Sequence, residues 1–556
     1  MSFQNRKWII KNLNTQKSAY QKVLENRGNL NFDKNVKLHD PFLFGDMEKA
    51  IDRIHKAIKS NERIIVFGDY DVDGISGTAI LVHLLKELGA QVSYRIPNRV
   101  KDGYGFTEKF IQEFIENDVS LVITVDCGIS CHKEIKKAAS QGIDFIVTDH
   151  HQVPAEIPKH ACAILHPGMP KTKYPFKDLT GSGVAFKLAQ ALIIKNYPPE
   201  KSQELFEEYI DLASLGTVAD LGPLLNENRY IVKRGLEILK KTKWIGLRQI
   251  MEMANVTSDN IDTNTIGFQI GPRINAAGRI GDPYIALSLL LQKEKSNKTF
   301  ELSKKLEQLN RERIELTYDA LEEAEEQILK NHDQLPEILI AEGPDWHVGI
   351  VGLVAGRLAE RYGRPSIIMQ DFGDTLVASA RSLEFFDITQ ALRECQDLLE
   401  TFGGHAQAAG FGLKKENLEK FKKRISIYTK KQLKEIELKS ILDIDCEIKP
   451  EEISFDLLEN LKKLEPFGVA NQKPKFLLAN IEPFFVDQVG KEAKHLRFKV
   501  NINNQEFTVI AFSMGHHADS IRQRRNVDIA FHLNRNVWNN RETLQLQALD
   551  IRYNYK

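Results

Sequence analysis

From about residue 50 the chain alternates between helical and strand-like patterning. An amphipathic helix runs to Ser60, and RIIVF then ends at Phe67, followed by Gly68 and an acidic loop. The helix TAILVHLLKELG stops at Gly89 and the strand VSYRIP follows. The cycle recurs: SLVITV ends at Val125, the helix HKEIKKAAS stops near Gly142, and FIVT ends at Thr148. Short unbroken β-branched runs between helices predict a parallel sheet covered on both faces. Right-handed crossovers then place all its strand C-termini on one edge.

Patterning divides the rest. Residues 1–49 are a polar extension with scattered aromatics and no clear period, which either wraps another domain or stays loose. Residues 50–225 form the first α/β domain. Residues 226–297 are a mainly helical segment completing its core, with the polar interruption GPRINAAGRIGDP. Residues 298–333 are rich in Glu, Lys and Leu and read as one long linker helix between two bodies. A second α/β domain spans 334–438. Residues 439–556 turn β-rich, with short strands and turn signals that predict an OB-fold-like barrel.

The length of 556 residues fits several domains, and 42% hydrophobic with 27% charged residues is globular composition. Lys+Arg 76 against Asp+Glu 76 leaves no net charge, so any polyanion site must be local. Five cysteines (Cys127, Cys131, Cys162, Cys395, Cys446) without a C-x-x-C pair fit neither a disulfide framework nor a zinc ribbon. No apolar run approaches the ~18 residues of a membrane span, and MSFQNRKWIIKNLNTQ lacks a signal-peptide core. A soluble cytoplasmic protein, off the membrane, is expected.

The chemistry sits where the strands end. Asp69, Asp71 and Asp73 follow the first strand, Asp126 the second, and Asp149, His150 and His151 the third. A parallel sheet binds ligands outside its strand carboxyl ends, so these clusters should meet. A single Asp after a strand is commonly only a helix N-cap. Three clusters in register are better explained by a divalent cation that offsets carboxylate repulsion, and mixed Asp/His ligation suits such an ion. Two ions are expected, to activate water and to stabilise the leaving oxygen of a phosphoryl displacement.

The motifs VFGDYDVDG, VDCG, TDHH and ASLGTVAD resemble those of the DHH phosphoesterase superfamily. GSGVAFKLAQAL, GPRINAAGR, WHVGIVGLVAGR, SARS and GGHAQAAGF resemble the RecJ single-strand-specific exonucleases in particular, and the match runs in order from about residue 50 to 412. The resemblance implies an α/β multidomain fold: a parallel-sheet DHH domain, a connecting helix, a DHH-associated substrate-binding domain and an OB-like nucleic-acid-binding domain. It implies two ions, Mn²⁺ or Mg²⁺, with Asp126 bridging them. Asp71 would hold one ion and Asp73, His150 and Asp220 the other, with His151 facing the substrate phosphate. Many relatives begin the first motif with histidine where this chain has Phe67, a gap for Asp69 or water to fill. Asp149 is expected to orient a histidine from behind.

An exonuclease must also hold a strand end. Arg279 in NAAGR, and Ser379 and Arg381 in SARS, are candidates for gripping a terminal phosphate. Gly403, Gly404 and His405 permit close backbone approach and a hydrogen bond to phosphate. Arg99 and Tyr104 are expected to line the strand path. The tail interleaves Lys494, His495, Arg497, Lys499, Arg522, Arg524, Arg525, Arg535 and Arg541 with Phe498 and Trp538, either a strand-binding surface or a solvated face. The expectation is a monomeric 5′→3′ exonuclease for single-stranded DNA that releases mononucleotides, its strand specificity set by a channel between the two α/β bodies too narrow for duplex. It would act in repair and recombination, with a RecQ-like helicase and a single-strand-binding protein as implied partners. The competing readings are a phosphodiesterase for short oligoribonucleotides or cyclic dinucleotides and a non-catalytic replication scaffold. The linker helix and β-rich tail oppose the first, and the intact carboxylate set opposes the second.

Overall fold

The computed structural model describes residues 2–4, 6–14, 16–28, 36–99, 102, 105–170, 172–258, 261–330, 334–434, 436, 439–523, 526–538 and 541–553. Five parallel strands form its first sheet, in the order Val92–Arg95, Arg63–Gly68, Val119–Val125, Asp144–Thr148, Ala163–Leu165. Ile64, Val66, Leu121 and Ile123 pack on one face against helices Val72–Glu87 and Gly181–Asn196. Ile65, Phe67, Val122 and Phe145 pack on the other against helices Glu108–Glu116 and His132–Ser140. Burial on both faces is why these strands read as unbroken apolar runs.

The segment GPRINAAGRIGDP is not an interruption. A π-helical turn, Thr265–Ile270, leads into the helix Gly271–Ile280, with Pro272 in its first turn where no intrahelical N–H is required. The linker helix Asn297–Lys330 is 34 residues long and buries a stripe on each body. Leu306 joins the core of the first body, and Ala320, Leu321, Ala324 and Ile328 pack with Trp346, Ile350 and Val354 of the second. The second body is a five-stranded sheet ordered Leu399–His405, Ala408–Lys414, Thr375–Arg381, Ser366–Asp371, Leu339–Gly343, in which only the last pair is parallel.

The extension is shared between two bodies. Lys7–Asn12 pairs in parallel with Ile441–Glu447 at the edge of the eight-stranded C-terminal sheet, and Ala19 and Val23 of helix Ala19–Asn26 enter that core. Phe44 and Met47 enter the core of the first body. The strand escaped the sequence reading because KWIIKN exposes every second residue and fully buries none. The C-terminal domain is docked on the first body by Arg229, 2% exposed, which donates to the carbonyls of Leu464 at 3.0 Å and Glu465 at 2.6 Å. A cavity of about 1150 Å³ lies between these two bodies.

Candidate metal centre

The strand ladders extend one residue past three of the strands, and each time that residue is an aspartate. Asp69 N–H donates to the Val125 carbonyl at 3.2 Å, Asp126 N–H to Thr148 at 3.0 Å, and Asp149 N–H to Leu165 at 3.2 Å. Sheet hydrogen bonding itself thus sets the three carboxylates along one edge. Asp126 takes a left-handed backbone conformation, φ 62°, which costs energy for a non-glycine residue and is characteristic of functional sites. Asp71 caps the helix Val72–Glu87, accepting from Asp73 N–H at 2.9 Å and Gly74 N–H at 3.1 Å, so the N-cap reading also holds for it. Asp73, in the first turn of that helix, accepts from Gly181 N–H at 2.5 Å and Ser182 N–H at 3.0 Å, at the positive end of helix Gly181–Asn196. Asp220 ends helix Pro199–Ala219.

These elements bring the acids and histidines together. His150 Nε2 lies 3.1 Å from Asp126 Oδ1, 3.5 Å from Asp220 Oδ2 and 3.9 Å from Asp73 Oδ2. Three ligand groups result, each with its donor atoms within 4.8 Å of one another: Asp69, Asp71 and Asp126; Asp73, His150 and Asp220; Asp126, His150 and His151. Asp69 Oδ1 and His150 Nε2 are buried without a hydrogen bond. Burial, then the charges of Asp73, Asp71, Asp69 and Asp220, pushes the Asp126 carboxyl well up. Burial, then Asp71, does the same to Asp69. Asp220 rises to about 8 through burial and the charges of Asp73 and Asp71, while burial lowers His150. Acids crowded together and buried, beside an imidazole whose protonation burial opposes and an unmatched carboxylate oxygen, form a donor set that a divalent cation satisfies.

Asp149 stands behind this set. Its Oδ1 accepts from His151 Nδ1 at 2.8 Å and from His150 N–H at 2.7 Å, and its Oδ2 accepts from Ile129 N–H at 2.9 Å. Burial alone would depress His151, but its bond to Asp149 and the acidic surroundings outweigh this and raise it to about 9. Phe67 points away from the centre, into the cluster of Phe106, Phe110 and Phe114. Asp69 lies with Asp71 and Asp126 in one ligand group.

The arginines gather beside the metal loop. Burial, then the charges of Arg99, Arg313 and Arg381, lowers Arg279 to about 10. Arg381 donates to Ser379 Oγ at 3.1 Å. Sheet register sets His405 opposite Ala408 and Ala408 opposite Arg381, and aligns Gly403, Gly410 and Ser379 in the same way. Directly opposed residues share a face, so Ser379, Arg381 and His405 look out over a floor of glycine and alanine. Gly404 lies between these rows and approaches Ala408 O so closely that a Cβ there would sit 2.3 Å from it. Tyr104, Arg524, Arg525 and the Trp538 side chain lie outside the described residues.

Of the tail cations, Lys494 pairs with Glu492, Arg497 with Asp487, Lys499 with Glu506, Arg522 with Asp519 and Arg535 with Glu542, which favours the solvated-face reading. Phe498 is core and His495 Nδ1 accepts from Ser513 N–H, while Arg541 is exposed. Sequence reasoning missed Ser182 and two glycines. A Cβ at Gly181 would lie 2.5 Å from Asp126 Cβ, and one at Gly216 would lie 2.2 Å from Asp73 Oδ1. Their place in the motifs GSGVAFKLAQAL and ASLGTVAD was the available signal.

Residues 63–217 match the N-terminal domain of the DHH family, 336–431 the DHHA1 domain and 444–550 the RecJ OB domain. The single-stranded-DNA-specific exonuclease RecJ of Thermus thermophilus is 34% identical over 511 residues, 91% of this chain and 71% of that relative. The chain belongs to the RecJ family. The RecJ of Bacillus subtilis is 36% identical over 93% of this chain, which spans 64% of that relative's length. The crystal structure of Thermus RecJ in complex with Mn²⁺ superimposes with a TM-score of 0.83 at 30% identity, covering 100% of this chain and 80% of that one. Its complex with Mg²⁺ gives 0.77 at 29% identity, covering 99% and 79%. Among the described residues no helix is long and apolar enough to cross a membrane.

Proposed function

We propose that this chain hydrolyses single-stranded DNA from the 5′ end, releasing mononucleotides, with two divalent cations, Mn²⁺ or Mg²⁺. The observation that carries the reading is the set of ligand groups joined through Asp126 and His150. Asp69, Asp71 and Asp126 would hold one ion, and Asp73, His150 and Asp220 the other, with Asp126 shared. Bound ions of this kind supply Lewis-acid activation of water and neutralise charge on the phosphodiester. The protein's own groups do the rest. Ser182 and Gly181 amides fix Asp73, and Asp149 fixes the His151 ring so that its outer nitrogen faces the substrate phosphate. Arg279, Arg381 and Ser379 close around the terminal phosphate, and His405 looks onto the same face.

The strand behind the end follows the cavity between the first body and the C-terminal domain. That cavity starts at Leu221, next to Asp220, and six lysines line it (Lys233, Lys240, Lys462, Lys463, Lys473, Lys475) against Glu237, Asp262 and Glu465. A basic groove suits a phosphate backbone without reading sequence. The same reading makes the protein a cytoplasmic monomer in repair and recombination, working on strands exposed by a RecQ-like helicase and covered by a single-strand-binding protein. One gel tests it, using a single strand with a 5′-phosphate, the same strand with a 5′-hydroxyl, and a duplex end, each with and without Mn²⁺. Rapid Mn²⁺-dependent loss of the 5′-phosphorylated strand alone is expected. Degradation from the 3′ end or of the duplex contradicts the reading.

A further inference from the structure

The loop that carries Asp69 and Asp71 also carries Tyr70, whose side chain has no part in the site as described so far. Its ring lies under the Arg99 guanidinium, 5.4 Å from Cζ to the ring centroid, within the range of a cation–π contact. Its backbone is pinned from another side. Gly278 approaches so closely that a Cβ there would sit 2.6 Å from the Tyr70 carbonyl oxygen and 3.3 Å from Tyr70 Cβ. Gly278 immediately precedes Arg279. One residue of the metal loop therefore abuts the helix that presents one arginine and offers its ring to a second. Arg99, Arg279 and Arg381 are near enough to feel one another's charge, which, after burial, lowers both Arg279 and Arg381. Repulsion of this kind turns a flexible guanidinium outward unless a contact retains it.

We propose that Tyr70 is a positioning residue whose ring face holds the Arg99 guanidinium beside Arg279 and Arg381, so that a terminal phosphate meets three cations rather than two. The inference rests on the terminal-phosphate reading of the arginine cluster given above. It moves Arg99 from the path of the strand to its end, and it makes the aromatic residue between two metal-facing aspartates part of substrate recognition.

The test compares Tyr70→Phe, Tyr70→Leu, Arg99→Ala and the Tyr70→Leu/Arg99→Ala double variant. KM and kcat are read on a 5′-phosphorylated strand, and Mn²⁺ affinity by calorimetry. The parent is also run on a 5′-hydroxyl strand. Tyr70→Phe keeps the ring and retains the parental KM. Tyr70→Leu raises KM about fivefold to tenfold, as expected for a lost cation–π contact, with kcat and Mn²⁺ affinity unchanged. The double variant behaves as Arg99→Ala alone, because the ring acts only through that guanidinium. A parental KM in Tyr70→Leu, a parallel loss of Mn²⁺ affinity, or a penalty that adds in full to that of Arg99→Ala would each overturn the inference. If the parent binds 5′-hydroxyl and 5′-phosphate strands equally, the terminal-phosphate reading itself fails. If the parent discriminates and Tyr70→Leu is silent, only the role of Tyr70 is lost.

Discussion

Replacing Gly181 with alanine probes the centre without touching a ligand. The added methyl would lie 2.5 Å from Asp126 Cβ, 2.6 Å from its Oδ1 and 2.7 Å from its Cγ. Ordinary contact begins at 3.4 Å, so relief requires a displacement of 3.4 − 2.5 = 0.9 Å. Helix Gly181–Asn196 is poorly placed to retreat, because the Gly181 N–H is held by Asp73 Oδ2 at 2.5 Å and its neighbours are buried. The Asp126 carboxylate therefore moves. A misplacement of about 1 Å in a catalytic constellation costs on the order of 10²-fold in rate, and overpacking of this kind costs about 1–3 kcal/mol of stability. The assay is Mn²⁺-dependent release of mononucleotides from a 5′-phosphorylated strand, with thermal unfolding followed in the same buffer. Gly183→Ala is the control, since its Cβ would meet only the Leu179 Cδ2 methyl at 3.3 Å within the close range. We expect kcat to fall about a hundredfold in Gly181→Ala with KM near parental, and to stay within about twofold of parental in Gly183→Ala. Parental kcat and parental Mn²⁺ dependence in Gly181→Ala would refute the reasoning.

Three further outcomes follow from buried charge. Chelating the divalent ions should lower thermal stability, because Mn²⁺ at about a hundred times its dissociation constant contributes ~2.7 kcal/mol per site; calorimetric scans with EDTA and with Mn²⁺ check this, and equal midpoints would contradict it. Lys187 and Glu227 form an ion pair at 2.9 Å with both side chains 0% exposed, so Lys187→Met strands a buried carboxylate and should cost about 3–5 kcal/mol in denaturant unfolding. Asp211 is raised to about 6 by burial, despite hydrogen bonds from Thr242 and Trp244. Its folded pKa lies above the unfolded value, so its contribution is present at acid pH and is lost as pH rises toward and through 6. Asp211→Asn should therefore gain about 2 kcal/mol relative to the parent between about pH 4 and about pH 7, read from paired urea titrations.

Much of the centre was legible because the same physics writes the sheet and the site. A doubly covered parallel strand must be an unbroken apolar run, and the first polar residue after it emerges at the ligand-binding edge, which is how Asp69, Asp126 and Asp149 could be placed. Asp220 came only through family resemblance, since it ends a helix whose packing angle no local pattern reveals. Gly181 and Gly216 act by lacking a side chain, and their closeness to Asp126 and Asp73 exists only once three helices are packed together. The strand Lys7–Asn12 was invisible because its partner, Ile441–Glu447, is remote in sequence and neither of its faces is fully buried. Charge misled in both directions. Lys494, Arg497, Lys499, Arg522 and Arg535 of the tail find acidic partners, Lys499 with Glu506 on the neighbouring strand for example, whereas the cleft between the first body and the C-terminal domain gathers lysines from several segments that only the fold assembles.

The claim beneath all of this is that acids and imidazoles from separate strand ends hold a pair of divalent ions. Anomalous diffraction at the manganese edge, from crystals of the protein grown with Mn²⁺, tests it most directly. Two peaks per chain are expected, one on each side of the Asp126 carboxylate, with Asp69 and Asp71 on one and Asp73, His150 and Asp220 on the other. A saturating soak that leaves the Asp126 carboxylate without flanking peaks would contradict it.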